Sequence, residues 1–342
     1  MSLTDAEVPA WAERLGIPGL YDVHVHFLPP NIMAKVWEQF DTAGPLIGRP
    51  WPIAYRGTDE ERVEQLRALG VRRFSALPYA HKPGIAGYLN DWARSFAREV
   101  PECLHSATFY PEPSAADYVA DAIDEGVEIF KVHVQVGDFD VRDPYLDKVW
   151  GQIADSGTPV VIHAGSGPVP NRNTGPGPVL EVLERHPRLT AVMAHMGAPE
   201  YVEFLQMAER FERVHLDTTM AFTDFFEEMA EFPADLKPRL RDLGGKVLLG
   251  SDFPNIPYPY AHQVEVLEGL GLGEDWMRRV CWHNAAALIA TGDVSCGCQH
   301  PIYGYKNARA RAVWPVEYAN RAMSLLVGSL TLRLRCLSYS KA

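Results

Sequence analysis

Eight short apolar or β-branched runs, each followed by an amphipathic segment, dominate the first 290 residues of this 342-residue chain. The alternation predicts parallel strands joined by crossover helices, and eight such units close most simply into a (β/α)8 TIM barrel. A doubly wound open sheet is the alternative, but the first run is followed by HFLPP and not by a glycine-rich phosphate loop. The predicted strands are 21–27, 71–80, 103–111, 127–136, 158–165, 189–197, 213–220 and 245–253.

Helix start and stop signals lie between these strands. Thr58 and Glu61 have the spacing of a capping box, and Gly70 ends the helix that they begin. Ser114 and Gly126 are expected to bound a second helix in the same way. Further helices are predicted over 178–187 and 199–211, where apolar residues recur at helical spacing.

Charge and cysteine content exclude several classes of protein. Lysine and arginine number 32 against 44 aspartate and glutamate residues, so the formal net charge is −12. This balance lacks the excess of basic residues expected of a protein that binds nucleic acid or an anionic membrane. No apolar run approaches the roughly 20 residues of a membrane span, and the first residues lack the pattern of a secretion signal. Five cysteines do not suggest a disulfide framework. We therefore expect a cytoplasmic protein without nucleic-acid or membrane partners.

The charge balance changes near residue 290. Residues 1–290 carry a balance of −17, whereas residues 291–342 carry +5 and three of the five cysteines. The strand–helix pattern does not continue past this point. The sequence therefore predicts one barrel domain over 1–290 and a basic C-terminal extension over 291–342, which is either a partner-binding extension or unselected sequence.

Polar side chains recur where the predicted strands end. His24 and His26 lie two apart on the first strand and so point to the same side. His163 ends the fifth strand, His195 the sixth and Asp252 the eighth. Because all strands of a parallel barrel end at one face, these five side chains are expected to meet there. Imidazole and carboxylate groups bind divalent transition metals, zinc above all.

This arrangement resembles the amidohydrolase superfamily, in particular its amidohydrolase-related branch, which includes the aminocarboxymuconate-semialdehyde decarboxylase type. The resemblance covers about residues 20–290. The segments that carry it are DVHVHFLPP (22–30), VVIHAG (160–165), AHMGAPE (194–200), LLGSDFPN (248–255) and VCWHNAAALIA (280–290).

The resemblance implies a role for each strand-end residue. His24, His26, His163 and Asp252 would bind one divalent metal ion, most simply Zn²⁺, and His195 would act beside it as an acid–base group. A second ion in this superfamily usually needs a bridging carboxylated lysine on the fourth strand, where Lys131 lies. For Lys131 the favoured interpretation is a lysine that is packed or paired within the barrel. Dimers are common in the branch, which makes a homodimer an expectation by analogy.

Candidate substrate contacts come from the loops that follow the strands. Arg56 or Arg172 could form a bidentate pair with a substrate carboxylate, and a surface ion pair is the alternative for each. Tyr79 and His81 follow the second strand, and His133 shares a strand face with Lys131. The glycine- and proline-rich segment 165–178 is typical of a flexible lid.

Two reactions use the same residues. The leading hypothesis is a hydrolase that acts on a small carbonyl compound, such as a lactone or an amide, through metal-activated water: Asp252 accepts the water proton and His195 holds or protonates the oxyanion. The alternative is a non-oxidative decarboxylase of a small aromatic or unsaturated acid. A third hypothesis is an inactive barrel that serves as a binding module.

Overall fold

The computed structural model describes residues 2–290, and eight parallel strands alternate with helices over this range. The strands are β1 (Leu20–Asp22), β2 (Val71–Phe74), β3 (Ser106–Thr108), β4 (Ile129–His133), β5 (Val160–His163), β6 (Ala191–Met193), β7 (Val214–Asp217) and β8 (Val247–Leu248). Seven of them lie within a predicted strand, whereas β1 begins one residue before its predicted run and ends at Asp22, before His24 and His26. The predicted extension over 291–342 is outside the described residues, so both it and the boundary near 290 stay predictions.

The strands close into a (β/α)8 barrel, as predicted. Strands β3 to β8 pair in sequence order, and β1 pairs with β2. A parallel bridge between Phe74 and Cys103 joins β2 to the segment before β3. On the other side, Val23 N donates to Leu249 O at 2.9 Å, and His26 N donates to Phe253 O at 2.8 Å. These bonds connect the end of β8 to the end of β1.

Helices surround the barrel on its outer face. The α-helices are α1 (Val8–Leu15), α2 (Pro30–Thr42), α3 (Gly44–Ile47), α4 (Asp59–Ala68), α5 (Ala86–Glu99), α6 (Ala115–Asp124), α7 (Val134–Gly137), α8 (Pro144–Ser156), α9 (Pro176–Arg185), α10 (Tyr201–Arg210), α11 (Asp224–Glu227), α12 (Lys237–Asp242), α13 (Tyr260–Gly269), α14 (Glu274–Arg278) and α15 (Asn284–Ala290). Short 3₁₀ segments span Asp5–Glu7, Ala194–Gly197 and Ala234–Leu236, and a π-helical turn spans Arg279–His283. None of these helices is both long and apolar enough to cross a membrane.

Apolar side chains form two main layers. One layer packs the strands against the surrounding helices. A smaller cluster fills the barrel interior below the strand ends, and its members include Val23, Ile129, Val161, Val192 and Leu248. This interior layer supports the polar residues that follow it along the strands.

The regular ladders are shorter than predicted. β8 has two residues and β4 has five, against predicted runs of nine and ten. His195 and Asp252, predicted as strand ends, lie instead in turns beyond β6 and β8, with φ angles of 54° and 73°. Such left-handed angles are strained for residues other than glycine and concentrate at functional sites. Beyond β6 the His195 backbone N–H donates to the Asp217 side chain and not to a neighbouring strand.

The two predicted helix starts differ in detail. Thr58 caps α4 as expected: its side chain accepts from Glu61 N, and the Glu61 carboxylate accepts from Thr58 N in return. Ser114 precedes α6, but its side chain makes no capping hydrogen bond. Its backbone is helical, with φ −87° and ψ −1°, and not extended as a side-chain cap requires.

This difference predicts unequal effects of removing the two hydroxyl groups. Thr58→Ala is expected to lower the free energy of unfolding by about 1 kcal/mol, the usual value of a capping side chain. Ser114→Ala, at an equally exposed helix start, is the matched control and should change stability by less than about 0.5 kcal/mol. Denaturant unfolding of both variants measures this, and equal losses would contradict the assignment.

Candidate metal centre

Three buried side chains bring metal-ligating atoms together at the carboxyl end of the barrel. They are His24, His26 and Asp252, whose candidate donor atoms all lie within 4.8 Å of one another. His26 Nε2 lies 2.9 Å from Asp252 Oδ1, and His24 Nε2 lies 3.7 Å from the same oxygen. All three belong to the predicted ligand set.

The opposite nitrogen of each histidine is held by a hydrogen-bond acceptor. His24 Nδ1 donates to Asp217 Oδ2 at 2.8 Å, and His26 Nδ1 donates to the Leu77 carbonyl at 2.9 Å. For His24 this leaves Nε2 unprotonated. His26 Nε2, 2.9 Å from Asp252 Oδ1, shares a hydrogen bond with that oxygen, and a bound metal ion would take the place of its proton. This is the arrangement in which metal-binding histidines are usually fixed.

His195 lies beside this group in its left-handed turn. Its Nδ1 donates to the Thr219 carbonyl at 3.0 Å, and its backbone N–H donates to Asp217 Oδ1 at 2.9 Å. Its ring centroid is 5.2 Å from that of His24 and 4.6 Å from that of His163. The His195 Nε2 atom has no hydrogen bond to the described residues and can exchange a proton with a bound molecule.

His163 reaches the barrel mouth but is not one of the three closely grouped donors. In the β4–β5 register it is directly opposite His133, and the two rings stack with centroids 3.9 Å apart. Its Nε2 lies 3.3 Å from the Gly167 carbonyl in the following loop. The fourth-ligand role predicted for His163 therefore stays a prediction.

Lys131 lies inside the barrel at the level of the histidines. It is fully buried, and its Nζ atom is 3.2 Å from His24 Nε2. The sequence left open whether Lys131 and His133 point into the barrel, and the register with β5 and these contacts show that they do. The position suits a lysine that bridges to a second metal ion. It suits equally the alternative, a buried lysine paired with a ring nitrogen.

The structure places some of the predicted substrate contacts beside the candidate centre and others away from it. The Tyr79 ring is 5.4 Å from the His26 ring and 5.5 Å from that of His133, so Tyr79 and His133 border the centre. Arg56 instead pairs with exposed Asp41, the surface ion pair that was its alternative. Arg172 lines an outer cavity of about 610 Å³, and half-buried His81 has no described contact with the histidine group.

Burial sets the charges of the centre. Loss of hydration lowers the pKa of His24 and His163 well below the ordinary value, and nearby cationic groups add to this. Burial also lowers the pKa of Lys131 to about 8. Burial alone would raise the pKa of Asp252, but the hydrogen bond from His26 and the neighbouring imidazoles hold it well below its usual range. Neutral imidazoles and an ionised carboxylate are the protonation states that bind a metal.

Two buried aspartates were missed by the sequence analysis. Asp217 ends β7, and the rule that selected the other strand ends would have found it in VHLDTT. Asp22 ends β1 and accepts from His24 N at 3.1 Å and from Tyr260 Oη at 2.8 Å. Burial raises the pKa of Asp22 to about 7. Nothing in its local sequence separates it from a surface aspartate.

The donor set fits a divalent metal ion. Two imidazole nitrogens and one carboxylate oxygen, with partners behind both imidazoles, match the preferences of zinc and similar ions. His24, His26 and Asp252 would hold the ion. The described part of the chain thus contains a possible divalent-metal site at the face where barrel enzymes carry their chemistry.

Comparisons with known proteins agree with the fold. An uncharacterized TIM-barrel protein from Bordetella bronchiseptica has a TM-score of 0.64 and 20% identity, over 80% of this chain and 99% of that chain. A probable 2-pyrone-4,6-dicarboxylic acid hydrolase from Acinetobacter baumannii has a TM-score of 0.55 and 13% identity, over 80% and 99%. The 5-carboxyvanillate decarboxylase of Novosphingobium aromaticivorans, solved with manganese, has a TM-score of 0.53 and 12% identity, over 80% and 97%.

A search of curated proteins gives no match. The model of one protein family, described as Amidohydrolase, matches residues 21–290. This match runs from the first strand of the barrel to the last described helix and includes every residue of the candidate centre. The chain therefore belongs to the amidohydrolase family.

Proposed function

We propose that this protein is a metal-dependent hydrolase that opens a small carbonyl compound, such as a lactone or an amide. The observation that carries the proposal is the buried group of His24, His26 and Asp252, with His195 beside it. Zn²⁺ is the ion that we propose, since two imidazoles and a carboxylate are common ligands of catalytic zinc. When bound there, the ion would polarise a carbonyl group and lower the pKa of water.

The surrounding residues have the states that hydrolysis needs. Asp252 is ionised, and its carboxylate can accept a proton from water. His195 has a lowered pKa because of burial, so its Nε2 is unprotonated at neutral pH and can accept a proton and pass it to a leaving group. The bond from His195 Nδ1 to the Thr219 carbonyl keeps this nitrogen directed toward the centre.

Flat side chains form one wall of the site. The stacked rings of His133 and His163 lie next to Tyr79; His163 is buried, and His133 and Tyr79 are half-buried. A wall of this kind favours a planar substrate, such as an unsaturated lactone, over a flexible chain. Tyr79 and His133 are the substrate contacts that we propose.

Decarboxylation of a small aromatic acid is the second candidate. The planar wall suits an aromatic ring equally well, and His195 can deliver a proton to a ring carbon as carbon dioxide leaves. Similarity to a probable pyrone dicarboxylic acid hydrolase and to a carboxyvanillate decarboxylase supports both readings to a similar extent. We place hydrolysis first because a buried ionised Asp252 is suited to accept a water proton.

A paired assay separates the two reactions. The zinc-loaded protein is incubated with unsaturated lactones and with hydroxylated aromatic acids, while ring opening and carbon dioxide release are recorded together. We expect lactone opening at a rate that falls at least 100-fold in His195→Ala. Carbon dioxide release without ring opening would favour the second candidate. No turnover of either class by metal-loaded protein would favour a binding module.

A further inference from the structure

The Asp217 carboxylate contacts both halves of the candidate centre. It lies at the carboxyl end of β7 and is fully buried. Its Oδ2 atom accepts from His24 Nδ1 at 2.8 Å, and its Oδ1 atom accepts from the backbone N–H groups of His195 at 2.9 Å and Thr219 at 3.1 Å. One buried side chain thus joins a metal-ligand candidate to the acid–base candidate.

These partners fix the orientation of the carboxylate. Backbone N–H groups can only donate, so Oδ1 is committed to His195 and Thr219. Oδ2 is then directed at His24 Nδ1, where it accepts the hydrogen bond of the ring. The proton of the neutral His24 ring is therefore held on Nδ1, and Nε2 keeps its lone pair toward Asp252.

The same carboxylate supports the strained turn that carries His195. Both His195 and Met196 have left-handed φ angles, 54° and 56°, and the bond from His195 N to Asp217 offsets part of this strain. Thr219, which Asp217 also holds, supplies the carbonyl that accepts from His195 Nδ1. The placement of the His24 and His195 imidazoles therefore depends on Asp217.

We propose that Asp217 is a positioning residue that keeps His24 in the tautomer required for metal binding and holds His195 over the same site. This inference rests on the proposed function, because it assigns His24 to a metal. It adds a residue that neither the motif pattern nor the group of three donors includes.

Asparagine at this position is the sharpest test because it conserves shape and changes only donors and acceptors. The amide oxygen must stay with the two backbone N–H groups, which leaves the amide NH₂ facing His24 Nδ1. Lys131 Nζ, 3.2 Å from Nε2, already donates from the other side. The neutral ring then lies between two donors although it has only one acceptor nitrogen. Either Nε2 takes up the proton or His24 loses the carboxylate that makes it a strong ligand, and both results weaken metal binding.

Asp22→Asn is the matched control. Asp22 is equally buried and also contacts His24, but through the backbone N–H and not through the ring. Binding of Zn²⁺ alone is measured by competition with a chromophoric chelator for the wild type, Asp217→Asn and Asp22→Asn. We expect about a 10- to 100-fold loss of zinc affinity in Asp217→Asn, the usual effect of removing a partner of a metal-binding histidine. Asp22→Asn should stay within about threefold of the wild type.

Nitrogen-15 NMR of the metal-free protein provides a second readout that does not depend on a metal. His24 in the wild type should show a hydrogen-bonded Nδ1–H, which Asp217→Asn should lose and Asp22→Asn should keep. His195 should keep its Nδ1–H in all three proteins, because Thr219 still accepts from it.

Two results would overturn the inference. One is an unchanged zinc affinity in a folded Asp217→Asn variant. The other is an Nε2–H tautomer of His24 in the wild type, which decides the question even if the variant does not fold. Failure of the wild type to bind zinc would count against the proposed function, whereas the His24 tautomer would still test Asp217 by itself.

Discussion

Purified protein supplied with zinc is expected to hold about one divalent ion per chain, and His24→Ala less than about a tenth of that amount. Removal of His24 takes away one of three grouped donors and leaves the others too few to retain the ion through purification. Elemental mass spectrometry of dialysed protein measures the metal content. Two ions per chain in the wild type would support Lys131 as a bridging ligand.

His262→Ala is the matched control for this experiment. His262 lies on α13 and pairs with exposed Asp224, outside the candidate centre. Its removal should leave the metal content unchanged. If wild-type protein and both variants held no ion after zinc had been supplied, the metal centre would be wrong and the binding-module hypothesis would take its place.

Asp252→Asn is expected to lower turnover of the substrate found in the paired assay by about 1000-fold or more, since the proposed function gives Asp252 both metal binding and proton acceptance. Asparagine is the substitution of choice because Asp252 has a φ of 73°, a left-handed angle that asparagine tolerates better than alanine does. Thermal unfolding should show a folded variant. Steady-state kinetics measures the loss.

Asp224→Asn, which changes a carboxylate in the surface pair with His262, should leave turnover within about twofold. Turnover of Asp252→Asn within tenfold of the wild type would contradict the assigned site. A loss confined to KM with an unchanged kcat would assign Asp252 to substrate binding only.

Local patterns were enough to predict the barrel and the grouping of His24, His26 and Asp252 at its mouth. The alternation of strands and helices, the capping pair Thr58 and Glu61, and the two-residue spacing of His24 and His26 all depend on neighbours in the sequence. Parallel closure then brings the strand ends to one face without further information. This is why His24, His26 and Asp252 could be predicted from the sequence and are found together.

Contacts between distant segments could not be read in this way. The β4–β5 register places His133 opposite His163 and directs Lys131 into the barrel. A shift of one residue in this register would turn both side chains to the other face of the sheet, and no local pattern fixes the register. The sequence made Arg56 a candidate partner for a substrate carboxylate, whereas in the structure Arg56 pairs with Asp41 at the surface. Ser114 has a capping residue's identity but not the backbone angle that capping needs.

The amino-acid sequence by itself determined the number of strand–helix units, the family motifs and the residue types at the barrel mouth, since these follow from periodicity and spacing along the chain. Only the tertiary structure decided which nitrogen of each histidine faces the centre. That choice depends on acceptors far away in sequence, Asp217 for His24 and Thr219 for His195, which folding brings within hydrogen-bond distance.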